Sequence, residues 1–389
     1  MRSGGVKWQD FSVKADVVVI GAGIVGASCA HYLAQAGLEV LVVDRGLIAS
    51  GTTGAGEGNI LVSDKEIGAE LQLALYSQRL WVELELTRAE FEEKGGIVVA
   101  HSDKVHRKLM HTAETQSQAG VQTQTLDTQG LRELEPHIAS DLVGAVLYPQ
   151  DSQVQPMLAA AELLHRNRGK VTMMSHAEVI AIDVVASKIV KVRTSKGDIS
   201  TNNVVNAAGT WGSDIARLAG VELPIMPRRG FILVTQPLPP MVHHKVYTAE
   251  YLDNVASNDA GLETSTVVEG TRSGTILIGA SRERVGFDRT INYEVLGKLA
   301  EGAIALFPFL REVQLLRTYL GFRPFCPDHL PVIGPDPRVE GLYHSCGHEG
   351  AGVGLAPASG KAIADVITRG HAEIDVHAFR PDRFAGAHV

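Results

Sequence analysis

The chain has 389 residues, a net charge of -8 at neutral pH, and 45% apolar against 21% charged residues. That length and balance allow two domains around a large buried core, and the acidic balance without any Lys/Arg block argues against nucleic acid or an anionic membrane as the main partner. Three cysteines, Cys29, Cys326 and Cys346, form no CxxC pair and are too few for a disulfide framework, so no iron–sulfur or zinc site is expected and a reducing compartment suits them. The opening residues, MRSGGVKWQDFSVKAD, lack the charged-then-apolar order of a secretory signal, because Asp10, Lys14 and Asp16 interrupt it. Val17 to Ala30, the longest uncharged stretch, is too short to span a bilayer and carries three glycines. A cytoplasmic protein with a short loose N-terminus and a small-molecule ligand is the expectation.

Ala15 to Asp44 reads ADVVVIGAGIVGASCAHYLAQAGLEVLVVD, which is an apolar strand, a GxGxxG turn, a helix, a Gly37 stop and a second apolar strand ending in an acid. This is a complete βαβ unit for a dinucleotide. Gly21 permits the tight turn, Gly23 lets backbone approach a pyrophosphate, and Gly26 lets helix and strand pack, while Val25 opens the helix whose N-terminus faces the phosphates. Asp44 is placed to accept hydrogen bonds from a ribose, with Arg45 beside it.

The motif alone does not separate NAD from FAD. The next segment, RGLIASGTTGAGEGNIL, is rich in small residues where a nicotinamide domain would begin another regular crossover. Thr52 and Thr53 offer hydroxyls, and the glycines through Gly58, followed by Asn59 and Ile60, offer backbone N–H groups for a phosphate and a flavin's ribityl chain. Glu66 to Lys94 has apolar residues at helical spacing and predicts one or two helices of core character. Ser102 to Ser140 is polar and partly helical, closed by Pro136, and Pro156 opens a further helix to about Arg168.

From Lys170 the apolar period becomes two, predicting several strands, with Val179 in an early one and a turn at Ser195 to Asp198. The last of them runs into Ala207, Ala208, Gly209, Thr210 and Trp211, a small-residue strand end that brings backbone close to a ligand or to a buried turn. Gly230 to Gly286 holds the strand-like runs GFILVT, STVVEG and TILIGA, the last two bracketing a turn at Arg272 to Gly274. After a helix ending at Pro308, EVQLLRTYLGFRPF reads as a strand delivering Arg323 into an apolar setting.

SCGHEGAGVGLAPASG, from Ser345, is a second glycine-rich turn. Hydride arriving at a flavin N5 makes the ring's N1 and C2 carbonyl edge negative, and the backbone N–H groups of Gly347, Gly350, Gly352 and Val353 at a helix start would stabilise that charge. The helix is predicted from about Leu355 to Arg369, with Pro357 in its first turn and Gly370 as stop.

Together, Gly21 to Asp44, NAAGTW, GFRPFCPDHLPVIGP and GHEGAGVGLAP resemble the glycine oxidase and sarcosine oxidase branch of the D-amino acid oxidase superfamily. CPDHLPVIGP and CGHEGAGVGLAP look most like the flavin subunits of hydroxyproline dehydrogenase, opine dehydrogenase and hydrogen cyanide synthase. The resemblance implies an FAD enzyme that oxidises a C–N bond to an imine, either as a dehydrogenase inside a hetero-oligomer with partner redox subunits or as a self-sufficient oxidase making peroxide. By position it makes Arg323 the clamp on a substrate carboxylate, a role that suits a guanidinium fork. An ion pair with Asp328 is the structural alternative.

His348 and Glu349 fall where the family approaches the flavin edge, and a hydrogen bond at a helix start accounts for either as well. At Gly350 the chain departs from the glycine oxidase pattern GHFRNG, which has an arginine there, and so leaves room for a larger substrate. His329 departs from the related PDGLP. The expected fold is α/β: an FAD-binding Rossmann-type domain from residues 1–90, 143–220 and 321–389, and a second substrate domain built on an antiparallel sheet from residues 91–142 and 221–320.

Overall fold

The computed structural model describes residues 13–249, 252 and 259–384, so the expected loose N-terminus lies outside the described residues. Among these, a six-stranded sheet runs in the order Val332–Pro335, Leu342–Cys346, Val204–Asn206, Val17–Ile20, Val40–Val43 and Val171–Met174, parallel except for its first strand. Val17–Ile20 and Val40–Val43 are buried on both faces, which is why they read as unbroken Val, Ile and Leu. The Ile24–Gln35 helix links these two strands and packs against the last long helix, Gly352–Arg369. Their contact explains the small residues APASG: a side chain at Gly360 would press on the Ser28 and Cys29 backbone.

The last helix starts three residues earlier than its sequence suggests, so Pro357 falls inside it. A proline there leaves the carbonyl four residues back without its usual donor. Trp81 Nε1 donates to that Val353 carbonyl at 3.2 Å and to Gly354 O at 3.1 Å. Ser77 inserts beside it, donating to Gly354 O at 2.6 Å and accepting from Ala358 N at 3.2 Å. Both come from the Ala69–Glu83 helix, the one helix formed from the Glu66 to Lys94 stretch.

A second sheet of eight strands has the order Leu315–Phe325, Met226–Thr235, Ile276–Arg282, Glu263–Gly270, Lys245–Thr248, Gly96–Ala100, Gly144–Tyr148 and Gln124–Leu126. Its pairings are antiparallel apart from Lys245–Thr248 with Gly96–Ala100. The hairpin at Arg272 to Gly274 forms as its turn residues predict. Boundaries at 143 and 321 do not match this sheet: Gly144–Tyr148 pairs within it, and Leu315–Phe325 runs through 321 without a break. Pairing partners, rather than the local pattern at either junction, fix where the sheet begins and ends. Phe231 and Leu233 face the Tyr293–Leu306 helix with Val295, Leu299 and Ala303, which leaves Gly230 and Ile232 on the opposite face. That face lines a cavity together with the turns that follow the six-stranded sheet, and the site lies there.

Candidate active site

Strand Val17–Ile20 ends in Gly21 at φ 112, and neither Gly21 nor Gly26 has room for a Cβ. At Gly21 it would strike the Ala207 carbonyl, and at Gly26 the Gly21 carbonyl. The turn is therefore closed against its own backbone. Ile24 N donates to Thr53 Oγ1 at 3.0 Å, and Thr52 Oγ1 and Thr210 Oγ1 donate to Phe322 O at 2.8 and 2.7 Å. Asp44 accepts from Ala22 N at 2.8 Å and Gly46 N at 2.7 Å, so its carboxylate shapes the turn as well as facing the cavity.

An elongated cavity of about 650 Å³ starts here. Its wall runs from Gly21, Gly23, Val25, Asp44 and Arg45 past Thr52, Thr53, Asn59, Val179, Ala208, Gly209 and Trp211 to Arg323, His348, Glu349, Gly350, Gly352 and Val353. Gly26, Gly58, Ile60 and Gly347 stand behind the wall instead. Gly58 has no room for a Cβ before the Val154 carbonyl, Ile60 is buried in a short strand paired with Ser152–Gln153, and Gly347 at φ 73 backs onto Cys326 and Ile225. For Gly26 this is the helix–strand packing role read from the sequence; for Gly58, Ile60 and Gly347 the sequence signal was proximity along the chain, and alternate residues of a turn face the core. Trp211 is sandwiched: the Arg45 guanidinium lies 4.1 Å from its ring centre and Phe287 stacks on it at 5.4 Å.

Arg323 Nη1 donates to Ser281 O at 2.8 Å, and its guanidinium occupies the space over Gly230. Asp328, its alternative partner from the sequence, is held by Arg383 at 2.7 Å. Glu349, at φ 47, accepts from Arg228 Nη1 at 2.5 Å and His329 Nδ1 at 2.9 Å. Burial opposes its charge, but the His329 hydrogen bond and the Arg228 guanidinium outweigh that and hold the carboxyl below its ordinary range. Arg228 is fully buried and reaches Glu263 at 2.8 Å with its other arm. Of this Arg228–Glu349–His329 cluster, the sequence singled out Glu349 beside the second turn and the departure at His329, and gave no signal for Arg228.

His348 is buried, which lowers its pKa to about 3, and its Nε2 lies 2.9 Å from Ser359 Oγ. Since Ser359 donates to Leu355 O at 2.9 Å, the neutral imidazole donates from Nε2. A second cavity, of about 850 Å³, is bounded by the loop from Ser63 to Gly68 and the first residues of the Ala69–Glu83 helix, the Asp103–Gln118 helix, Arg282 and His329. The two cavities share His348, Glu349 and Gly350.

The donor-lined glycine turn, the long cavity and a cation at its far end fit FAD: the first turn would hold the pyrophosphate, and the wall from Asn59 to Val353 the ring system. The family model of FAD dependent oxidoreductases, DAO, matches residues 16–366. The chain belongs to this family. Its cofactor is FAD, and it is an enzyme. It is similar to the hydrogen cyanide synthase subunit HcnC of Pseudomonas aeruginosa, 29% identical over 95% of this chain and 96% of that protein. The glycine oxidase of Pseudomonas putida is 27% identical over 94% and 98%. Among solved structures, the L-proline dehydrogenase from P. horikoshii superposes with a TM-score of 0.87 at 27% identity, covering 96% of this chain and 99% of that one. Among the described residues, no helix is long and apolar enough to cross a membrane.

Proposed function

We propose that this FAD-dependent oxidoreductase is a dehydrogenase that oxidises the C–N bond of an amino or imino acid, hydroxyproline-like or opine-like, to an imine. Arg323 carries the reading. It stands at the far end of the cofactor cavity, fixed by the Ser281 carbonyl, where a planar guanidinium can take a carboxylate with two parallel hydrogen bonds. Clamping the carboxylate orients the α-hydrogen, which converts an encounter into a fixed geometry. When bound, FAD supplies the acceptor for the hydride. Glu349 stays ionised between Arg228 and His329 and so holds the turn Gly347 to Gly354 in place, and the neutral His348 ties that turn to the last helix through Ser359.

The amino-acid substrate class follows from glycine oxidase and L-proline dehydrogenase, whose names state theirs. The larger substrate follows from Gly350, which lies on both cavities and carries no side chain to separate them. The body around the six-stranded sheet is the FAD domain in this reading and the body around the eight-stranded sheet the substrate domain. HcnC is a subunit by name, which supports a hetero-oligomer; that the partners are redox subunits and that the enzyme is cytoplasmic belong to the same proposal. The glycine oxidases support a second reading, a self-sufficient oxidase making hydrogen peroxide. One experiment separates them. The purified chain is mixed anaerobically with glycine, sarcosine, L-proline, hydroxyprolines, D-amino acids and opines, flavin bleaching is followed, and air is then admitted. Bleaching by a hydroxyproline or an opine with slow reoxidation is expected; rapid reoxidation with stoichiometric peroxide selects the oxidase, and no bleaching by any of them rejects both.

A further inference from the structure

Glu57 lines the cofactor cavity, yet neither the phosphate turn nor the carboxylate clamp uses it. Its Oε2 accepts from Asn59 Nδ2 at 3.1 Å, while Oε1 is buried without a hydrogen-bond partner. A buried carboxylate oxygen left in this way marks a place where a donor is missing.

The eight-stranded sheet sets the position of this oxygen relative to Arg323. Gly230 and Ile232 are two residues apart on Met226–Thr235 and both face the cavity. The Arg323 guanidinium fills the space over Gly230. Glu57 Oε1 fills the space over Gly279, 2.5 Å from where a Cβ would stand, and that same point lies 3.1 Å from Ile232 Cδ1. Two residues of strand span about 7 Å. An α-amino acid with its carboxylate on Arg323 reaches across that interval and brings its ammonium to Glu57.

The surroundings suit a proton acceptor. Burial raises the Glu57 pKa; Lys245 lowers it, Glu269 raises it and Arg323 lowers it, with burial the largest effect. Lys245 is tied to Glu269 at 2.7 Å, and Tyr319, on the Arg323 strand, donates a hydrogen bond from its hydroxyl to Gly56 O at 3.2 Å. The other titratable groups at this end of the wall are committed, Glu349 to Arg228 and His329, and His348 to Ser359.

We infer that Glu57 is the base that takes a proton from the substrate's ammonium group, an inference that rests on the amino-acid reading above. The N–H bond breaks as the Oε1–H bond forms, the carboxylate becomes a carboxylic acid, and nitrogen keeps the electron pair. That pair forms the C=N bond as the α-hydride leaves for the cofactor, and Glu57 returns its proton to solvent before the next turnover.

The test is the pH profile of kcat/KM for whichever of glycine, sarcosine, L-proline, the hydroxyprolines, the D-amino acids or the opines bleaches the flavin fastest, in the wild type and in Glu57→Gln. The wild-type profile should level off well below the pKa of the amine. Glu57→Gln should keep its FAD content, lose roughly 100-fold at pH 7, and climb tenfold per pH unit until the free amine predominates. Superimposable profiles overturn the inference and leave the amino-acid reading standing, whereas no bleaching by any of these substrates overturns both. Should Glu57→Gln fail to hold FAD, the wild-type profile decides alone: a climb continuing to the pKa of the amine overturns the inference.

Discussion

The two glycine-rich turns look alike in sequence and are built on opposite requirements. In the first, Gly21 and Gly26 are compelled: each position is packed against a backbone carbonyl. In the second, a Cβ at Gly350 would meet nothing closer than Arg323 Nε at 3.8 Å, and one at Gly352 only the His348 Cβ at 3.4 Å. The left-handed conformation there falls partly on a non-glycine, Glu349 at φ 47. Apart from Gly347, whose φ of 73 favours glycine, the second turn thus puts a carboxylate where glycine would be easier and glycine where many residues would fit. Glycines of the first kind report backbone geometry, and those of the second report empty space.

Gly26→Ala should break the first turn, the largest effect expected here. The added methyl meets the Gly21 carbonyl, and neither backbone can yield without opening the strand–helix junction. Overpacking of this kind costs about 3 kcal/mol. Taken from cofactor binding, that is more than roughly 100-fold in Kd, so the protein should purify without yellow colour, as its visible spectrum will show.

Arg323→Ala leaves both turns intact and removes the clamp. Losing a charge-assisted bidentate contact of roughly 2 to 4 kcal/mol should lower kcat/KM by a factor on the order of 100 or more. FAD content should not change. Normal kinetics on a carboxylate substrate would return Arg323 to a structural role.

Much of this was legible in the sequence because local chemistry dictated it. The βαβ unit from Val17 to Val43, the hairpin at Arg272 to Gly274 and the strand delivering Arg323 each follow from a period and its turn residues. What stayed hidden depends on distant partners. Pro357 sits within a helix because Ser77 and Trp81, some 280 residues earlier, satisfy the carbonyls it frees. Glu57 stands in a run of small residues, and only the sheet's glycine at 279 gives its carboxylate a place. Gln124–Leu126 is a short, largely exposed edge strand that carries no alternation to read.

His348→Gln tests how the second turn is held. Burial keeps the native imidazole neutral down to about pH 3, whereas the unfolded chain takes up its proton near 6.5. The unfolded state therefore gains protons first, and stability is lost as pH falls from about 6.5 towards 3. At pH 5 the loss is about 2 kcal/mol relative to pH 7.5. The glutamine variant keeps a donor for Ser359 and has nothing to titrate, so its acid-induced drop in unfolding midpoint should be smaller by that amount. An equal drop in both proteins would mean that His348 opens to water in the native state.

Gly350→Ala should give the smallest effect and the sharpest contrast with Gly26→Ala, since the same methyl enters a turn of the other kind. Gly350 has no positive φ, so alanine adopts its backbone without strain, and stability should hold or rise by about 0.5 kcal/mol. FAD should stay bound. The methyl points into the passage where the two cavities meet, beside Arg323. Glycine or sarcosine, which end near the clamp, should react at the wild-type rate. An opine, whose second arm must extend through that passage, should lose roughly tenfold in kcat/KM, the scale set by one methylene in a fitted pocket. Comparing the two kcat/KM ratios cancels any general defect in the variant. A uniform loss on both substrates would show that Gly350 serves the backbone after all, and that the two turns are of one kind.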